Sequence, residues 1–137
     1  NSDVVMRFLS VPNCRSLLQV NPLVPDQTVY CKDMPAWIDR ESMVDDPEGA
    51  IEDAFKQAEN GELTTRCILA EDIGLFVAAP TPKERDYGLV TMTAILESLR
   101  VSTVFGGPRG MSDRALDYVR NWEAERYRQK LAHEEGE

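Results

Sequence analysis

The 137-residue sequence contains a single histidine. A metal centre built on imidazoles, or a Ser-His-Asp catalytic machine, would have to use that His133, which stands in a polar tail. Cysteine is nearly as scarce. Cys14, Cys31 and Cys67 are odd in number, widely spaced and without a C-x-x-C pair, which excludes a disulfide framework and a zinc knuckle. Cys31 and Cys67 lie in apolar runs and are expected as buried thiols that act as small hydrophobes; a reducing cytoplasm follows as the expected compartment. Positive charge is in deficit, with 15 Lys+Arg against 24 Asp+Glu and a net charge of -9. That average field repels a phosphate backbone, so no nucleic-acid partner is expected. No apolar run reaches the roughly 18 residues of a membrane span and no signal peptide opens the chain, so no membrane partner is expected either. The first residue is Asn1 rather than Met, which leaves a processed chain or a piece of a longer one.

What is present suits one domain over residues 1–137. A chain of this length buries about two-thirds of its unfolded surface without help from cross-links. Residues 3–10 have the pattern of a short helix with Val5, Met6 and Leu9 on one side, and Cys14 to Val20 that of a second. Two prolines stop helix formation across 21–26. Thr28-Val-Tyr-Cys31 is β-branched and aromatic, which predicts a strand, and Met34 to Ile38 is expected to return beside it as an edge strand limited by Pro35. Asp46 followed by Pro47 opens an amphipathic helix (Ala50, Ile51, Ala54, Phe55, Ala58) that Asn60-Gly61 closes. Arg66–Ala70 and Leu75–Ala79 are short apolar runs expected to form a hairpin covered on both faces. Thr81-Pro-Lys-Glu84 is a capping box opening a helix to about Thr103, with apolar residues nearly all round and hence an expected central, largely buried place. Ser112 caps a closing helix, with Met111 and Leu116 as a hydrophobic staple, and residues 133–137 are expected to fray. The fold class that follows is α/β: a small, mostly antiparallel sheet covered by helices.

Five groups invite a chemical reading. Phe105-Gly-Gly-Pro-Arg-Gly110 has the glycines of a phosphate loop but lacks its Lys-Ser/Thr and follows a helix, so it reads as an interhelical linker. Glu71-Asp72 could bind a divalent cation or move protons, but adjacent strand residues point to opposite faces and a hairpin turn explains the pair; Asp45-Asp46 reads as a helix cap. Tyr118, Trp122, Arg126 and Tyr127 could form an aromatic-basic stripe, against which stands a plain helix docking Trp122 into its own core or a partner subunit. Thr64-Thr65-Arg66 could hold an anion, though a polar start to a strand explains it. No nucleophile-base pair assembles, so the catalytic residues are unknown and no metal-ligating or cofactor-binding residue is assigned.

Three stretches together carry a resemblance. Pro22-Leu-Val-Pro-Asp-Gln-Thr-Val-Tyr-Cys31, Arg66 to Pro80 with Ile73-Gly-Leu-Phe-Val-Ala78, and Asp117 to Lys130 resemble, in order and spacing, the C-terminal half of class II aldolase/adducin-like proteins. The branch they resemble is that of the rhamnulose-1-phosphate aldolases. The resemblance implies an α/β/α sandwich, a homo-oligomer, and metal-assisted retro-aldol cleavage of a sugar phosphate of the rhamnulose or fuculose 1-phosphate type. The family's phosphate loops, its acid-base Glu and its paired metal histidines belong to the preceding half. Its third metal His stands where this chain has Ile73, which cannot ligate, with Glu71 as a conceivable substitute. None of the family's catalytic residues is therefore carried over. The expectation is an aldehyde-lyase ancestry with an inactive isolated chain, zinc or another divalent metal belonging to a longer parent; the alternative is a non-catalytic adducin-like assembly or binding module.

Overall fold

The computed structural model describes residues 3–59 and 65–135. Six helices and three strands follow one another in the order α1 (Asp3–Leu9), α2 (Pro25–Tyr30), β1 (Ala36–Ile38), α3 (Arg40–Asp45), α4 (Pro47–Glu59), β2 (Cys67–Ala70), β3 (Gly74–Val77), α5 (Pro82–Ser102) and α6 (Asp113–Glu135). Single 3-10 turns cover Cys14–Leu18 and Thr103–Phe105. The Asn60-Gly61 stop lies outside the described residues.

The segment expected as a strand at 28–31 is helix α2. Pro25 fixes the first helical φ, and the Gln27 side chain accepts a hydrogen bond from the Leu23 N–H at 2.8 Å, which pins the incoming chain. These two start signals, with tertiary packing, outweigh the weak β preference of Thr28 and Val29. The strand at 36–38 therefore has no neighbour at 28–31. It pairs in parallel with β2 instead, Ala36 opposite Ile68 and Ile38 opposite Ala70. Parallel strands need a crossover, and α3 with α4 supplies it.

β2 and β3 form the expected hairpin, Cys67 opposite Val77 and Ala70 opposite Gly74. The sheet order is β1-β2-β3, so one pair is parallel and one antiparallel: the sheet is mixed rather than mostly antiparallel. Pleat alternation divides the central strand between two cores. Cys67 and Leu69 join Val5, Phe8, Met92 and Leu96 on one face. Ile68 and Ala70 join Ile38 and Met43 on the other, under Ala50, Ile51, Ala54 and Phe55 of α4. Helices thus cover both faces, and all four β2 residues are buried.

All three predicted caps form, Ser112 Oγ accepting from the Ala115 N–H at 3.1 Å. Thr81 Oγ1 accepts from the Glu84 N–H at 3.1 Å, and Asp46 Oδ1 from the Gly49 N–H at 3.1 Å. Helix α5 buries one face (Gly88, Met92, Ile95, Leu96, Leu99) and leaves Tyr87, Leu89, Val90 and Val101 exposed. It is a half-exposed packing helix rather than a buried central one. Together with the turn after it, Pro82–Phe105, it is long and apolar enough by length and composition to cross a membrane, contrary to the expectation that no run is. Its buried face instead carries α1 and α2. Helix α1 buries Val5 and Phe8, three residues apart, while Met6 of the expected face is exposed.

Candidate functional site

The residues flagged in the sequence separate once the chain is folded. Glu71, Asp72 and Ile73 make the β2–β3 turn, closed by the Ile73 N–H on the Ala70 carbonyl at 3.1 Å. Because they lie in a turn, Glu71 and Ile73 do not share a strand face as a ladder would arrange them. Glu71 Oε2 accepts from the Arg40 N–H at the start of α3, 3.0 Å away, and Asp72 pairs with the Arg40 guanidinium at 3.3 Å. Both carboxylates are thus tied to α3. Among the described residues no group of three or more His, Cys, Asp or Glu side chains is placed to hold a metal ion.

The Gly-rich linker is a latch. The Met111 N–H donates to the Pro22 carbonyl at 2.9 Å, and Asn21 Nδ2 donates to the Met111 carbonyl at 2.9 Å and to Asp113 Oδ1 at 2.7 Å. Gly110 lies so close to Asn21 that a Cβ there would come within 2.2 Å of the Asn21 carbonyl oxygen. Gly106 and Gly107 turn the chain with φ of 96° and 107°. Thr64 lies outside the described residues. Thr65 is buried, its hydroxyl accepting from the Cys67 N–H at 3.2 Å, and Arg66 pairs with Glu84 at 3.8 Å.

The aromatic-basic group is where side chains gather. Trp122 is not docked into the core: it is 49% exposed, and Tyr118 and Tyr127 are exposed with it. Helix α6 is anchored instead by Leu116, which is buried, and by packing on α2. Trp122, Arg126 and Tyr127 form one wall of a groove of about 900 Å³. The opposite wall is the end of α2 and the loop after it, with Tyr30 and Lys32, and Arg66 and Glu84 line it as well. The Arg126 guanidinium stands 4.9 Å over the Trp122 ring, and Tyr30 packs on Tyr87 with ring centroids 5.3 Å apart. Lys32 pairs with Glu123, and Arg120 with Asp33 at 3.4 Å. Lys32 holds a φ of 71°, sparsely populated for a residue with a Cβ. The sequence pattern gave half of this group. It missed Lys32, Arg120 and Tyr30, because their meeting depends on α2 being a helix.

A second hollow of about 690 Å³ lies between β1, α3 and α4, where Asp39, Asp45, Asp46 and Asp53 surround Trp37 and Arg15. The Trp37 Nε1–H donates to Asp39 Oδ1 at 3.1 Å and the Arg15 guanidinium stands 6.0 Å over the Trp37 ring, so Trp37, Asp39 and Arg15 engage one another.

The three cysteines are free and buried. Cys31 Sγ donates to the Gly88 carbonyl at 3.4 Å. The Cys67 thiol is pushed far up from its ordinary range by its hydrogen bond with Cys31 and then by burial, and burial raises Cys14. Cys14 and Cys67, held neutral in this way, are packing groups and not nucleophiles. Comparison of the chain with protein-family models, with curated proteins and with solved structures gave no match in any of the three.

Proposed function

We propose that this chain is the C-terminal half of a class II aldolase-like domain that works on sugar phosphates, and that it has no lyase activity alone. The observation that carries the reading is a convergence. The three stretches that resemble the family are far apart in the sequence, yet Tyr30 of the first, Arg66 and Pro80 of the second, and Trp122 and Arg126 of the third line one groove. The first two are also joined directly, the Arg66 N–H donating to the Cys31 carbonyl at 3.0 Å. In this reading the sheet with helices on both faces is part of an α/β/α sandwich in the cytoplasm, and a catalytic zinc or similar ion is held by the other half. Ile73 at the hairpin turn, 40% exposed, replaces the third imidazole with a side chain that ligates nothing.

The test has two arms. The isolated chain, incubated with rhamnulose 1-phosphate or fuculose 1-phosphate and zinc, is expected to release no aldehyde; clear turnover would end the claim of inactivity. A blot of the source cell with an antibody to α6 is expected to show a band well above 15.4 kDa, and that longer protein is expected to bind zinc and cleave one of the two substrates. A 15.4 kDa product without lyase activity would favour a second reading, a non-catalytic assembly module. That reading has its own support in Val90, Val104 and Phe105, exposed apolar side chains on α5 and the turn after it. Both readings expect self-association of the chain, measurable by light scattering.

A further inference from the structure

We propose that the groove between α2 and α6 binds a small organic phosphate carrying a planar ring, of the size of a nucleoside monophosphate. The proposal does not depend on the aldolase reading.

Charge is the first argument. The chain carries a net charge of -9, yet among the described residues this groove is lined by Lys32, Arg66, Arg120, Arg126 and Lys130 against Glu84 and Glu123. Lys32, Arg66 and Arg120 are already paired with Glu123, Glu84 and Asp33, so among the described residues the excess positive charge is that of Arg126 and Lys130. A concave basic site on an acidic protein concentrates small anions locally, while the surrounding field repels long polyanions. Geometry is the second argument. Arg126 and Trp122 present a guanidinium plane and an indole in contact, and Tyr127 and Tyr30 lie along the same walls. Guanidinium and indole planes both stack on flat heterocycles, and guanidinium groups also take phosphate oxygens in pairs. A volume of about 900 Å³ is of the order of small-ligand clefts.

The experiment reads Trp122 fluorescence in a W37F variant, which leaves one indole, and repeats the titration by calorimetry on the unaltered chain. Adenosine 5′-monophosphate is expected to saturate the signal. Ribose 5-phosphate, inorganic phosphate and adenosine are each expected to bind at least about tenfold more weakly, because each lacks one of the two recognised groups. Binding is expected to weaken severalfold towards about 0.5 M salt. R126Q/K130Q changes exposed positions on α6 and is expected to lower affinity at least about tenfold with an unchanged far-ultraviolet spectrum. No saturation by about 5 mM nucleotide would overturn the proposal. So would unaltered binding by R126Q/K130Q, or ribose 5-phosphate binding as well as the nucleotide. Binding of a polyglutamate peptide in place of the nucleotide would assign the groove to an acidic chain and overturn it equally.

Discussion

Replacing Gly110 by alanine tests the latch that ties the two ends of the fold together. The added Cβ would lie 2.2 Å from the Asn21 carbonyl oxygen, 2.7 Å from its nitrogen and 2.8 Å from its carbonyl carbon. All three are backbone atoms, so no rotamer change relieves the contact, and the segments must separate by roughly 1 Å to restore van der Waals distance. That displacement breaks the Met111 N–H bond to Pro22 (2.9 Å) and the two Asn21 Nδ2 bonds to Met111 and Asp113 (2.9 and 2.7 Å). At about 1 kcal/mol each the loss is about 3 kcal/mol. Urea unfolding followed by circular dichroism is the assay, and the midpoint is expected to fall with little change in slope. Gly107→Ala is the control. Nothing lies within 4 Å of its Cβ position and only its φ of 107° is unfavourable, so its cost is about 1 kcal/mol. The latch account also requires that Asn21→Ala cost less in the Gly110→Ala background than alone, since its bonds would already be lost. A Gly110→Ala protein within about 0.5 kcal/mol of the parent, or strict additivity with Asn21→Ala, would refute it.

Other consequences are more direct. Leu96→Ala empties a fully buried site between α5 and the sheet and is expected to cost about 2–5 kcal/mol by urea unfolding. Thr28→Val removes a buried hydroxyl without a partner, and is expected to leave stability unchanged or raise it by about 1 kcal/mol in the absence of ligand. Thr81→Ala deletes the cap on the Glu84 N–H and is expected to cost about 1 kcal/mol, visible as a lower thermal midpoint. Because burial raises Cys14, and the Cys31 contact with burial raises Cys67, neither thiol ionises near neutral pH. Thiol-reactive disulfide reagent at pH 8 is expected to label them only after urea is added, and fast labelling of the native chain would contradict the buried placement.

What could be read from the sequence was local chemistry with its partners close by. The Thr81 and Asp46 caps, the β2–β3 hairpin and the α4 amphipathic face each depend on residues within a few positions, and each is where the pattern placed it. Failures occurred where distant partners decide. Thr28-Val-Tyr-Cys31 has strand composition, but Pro25 and the Gln27 bond to Leu23 start a helix there, and Cys31 is then drawn against Gly88. A Cβ on Gly88 would lie 3.1 Å from Val77 Cγ1 and 3.3 Å from the Tyr30 carbonyl oxygen, so the missing side chain is what lets α2 settle on α5. Once α2 takes that place, β1 loses its expected neighbour and pairs across the α3–α4 crossover instead. One misread turn of helix thus accounts for both the misplaced strand and the mixed sheet.

The same turn of helix determines the groove. In an extended segment Val29 and Cys31 would face opposite to Tyr30, and Thr28 could not share a wall with both Val29 and Tyr30 as it does here. As a helix, the segment buries Gln27 and Thr28 inwards and ends in time for Lys32 to reach Glu123 of α6. Among the described residues of α6 only Leu116 is buried, and the Lys32–Glu123 and Arg120–Asp33 pairs hold the helix's middle against the α2 loop. These contacts are polar and partly exposed, so they contribute little stability apiece and are sensitive to salt. The wall of the groove formed by α6 is therefore held more loosely than the wall formed by α2, which rests on the buried face of α5. A ligand spanning both walls would gain its ordering on the α6 side, and protection from hydrogen exchange on ligand binding should concentrate in residues 118–130 rather than in α2 or the sheet.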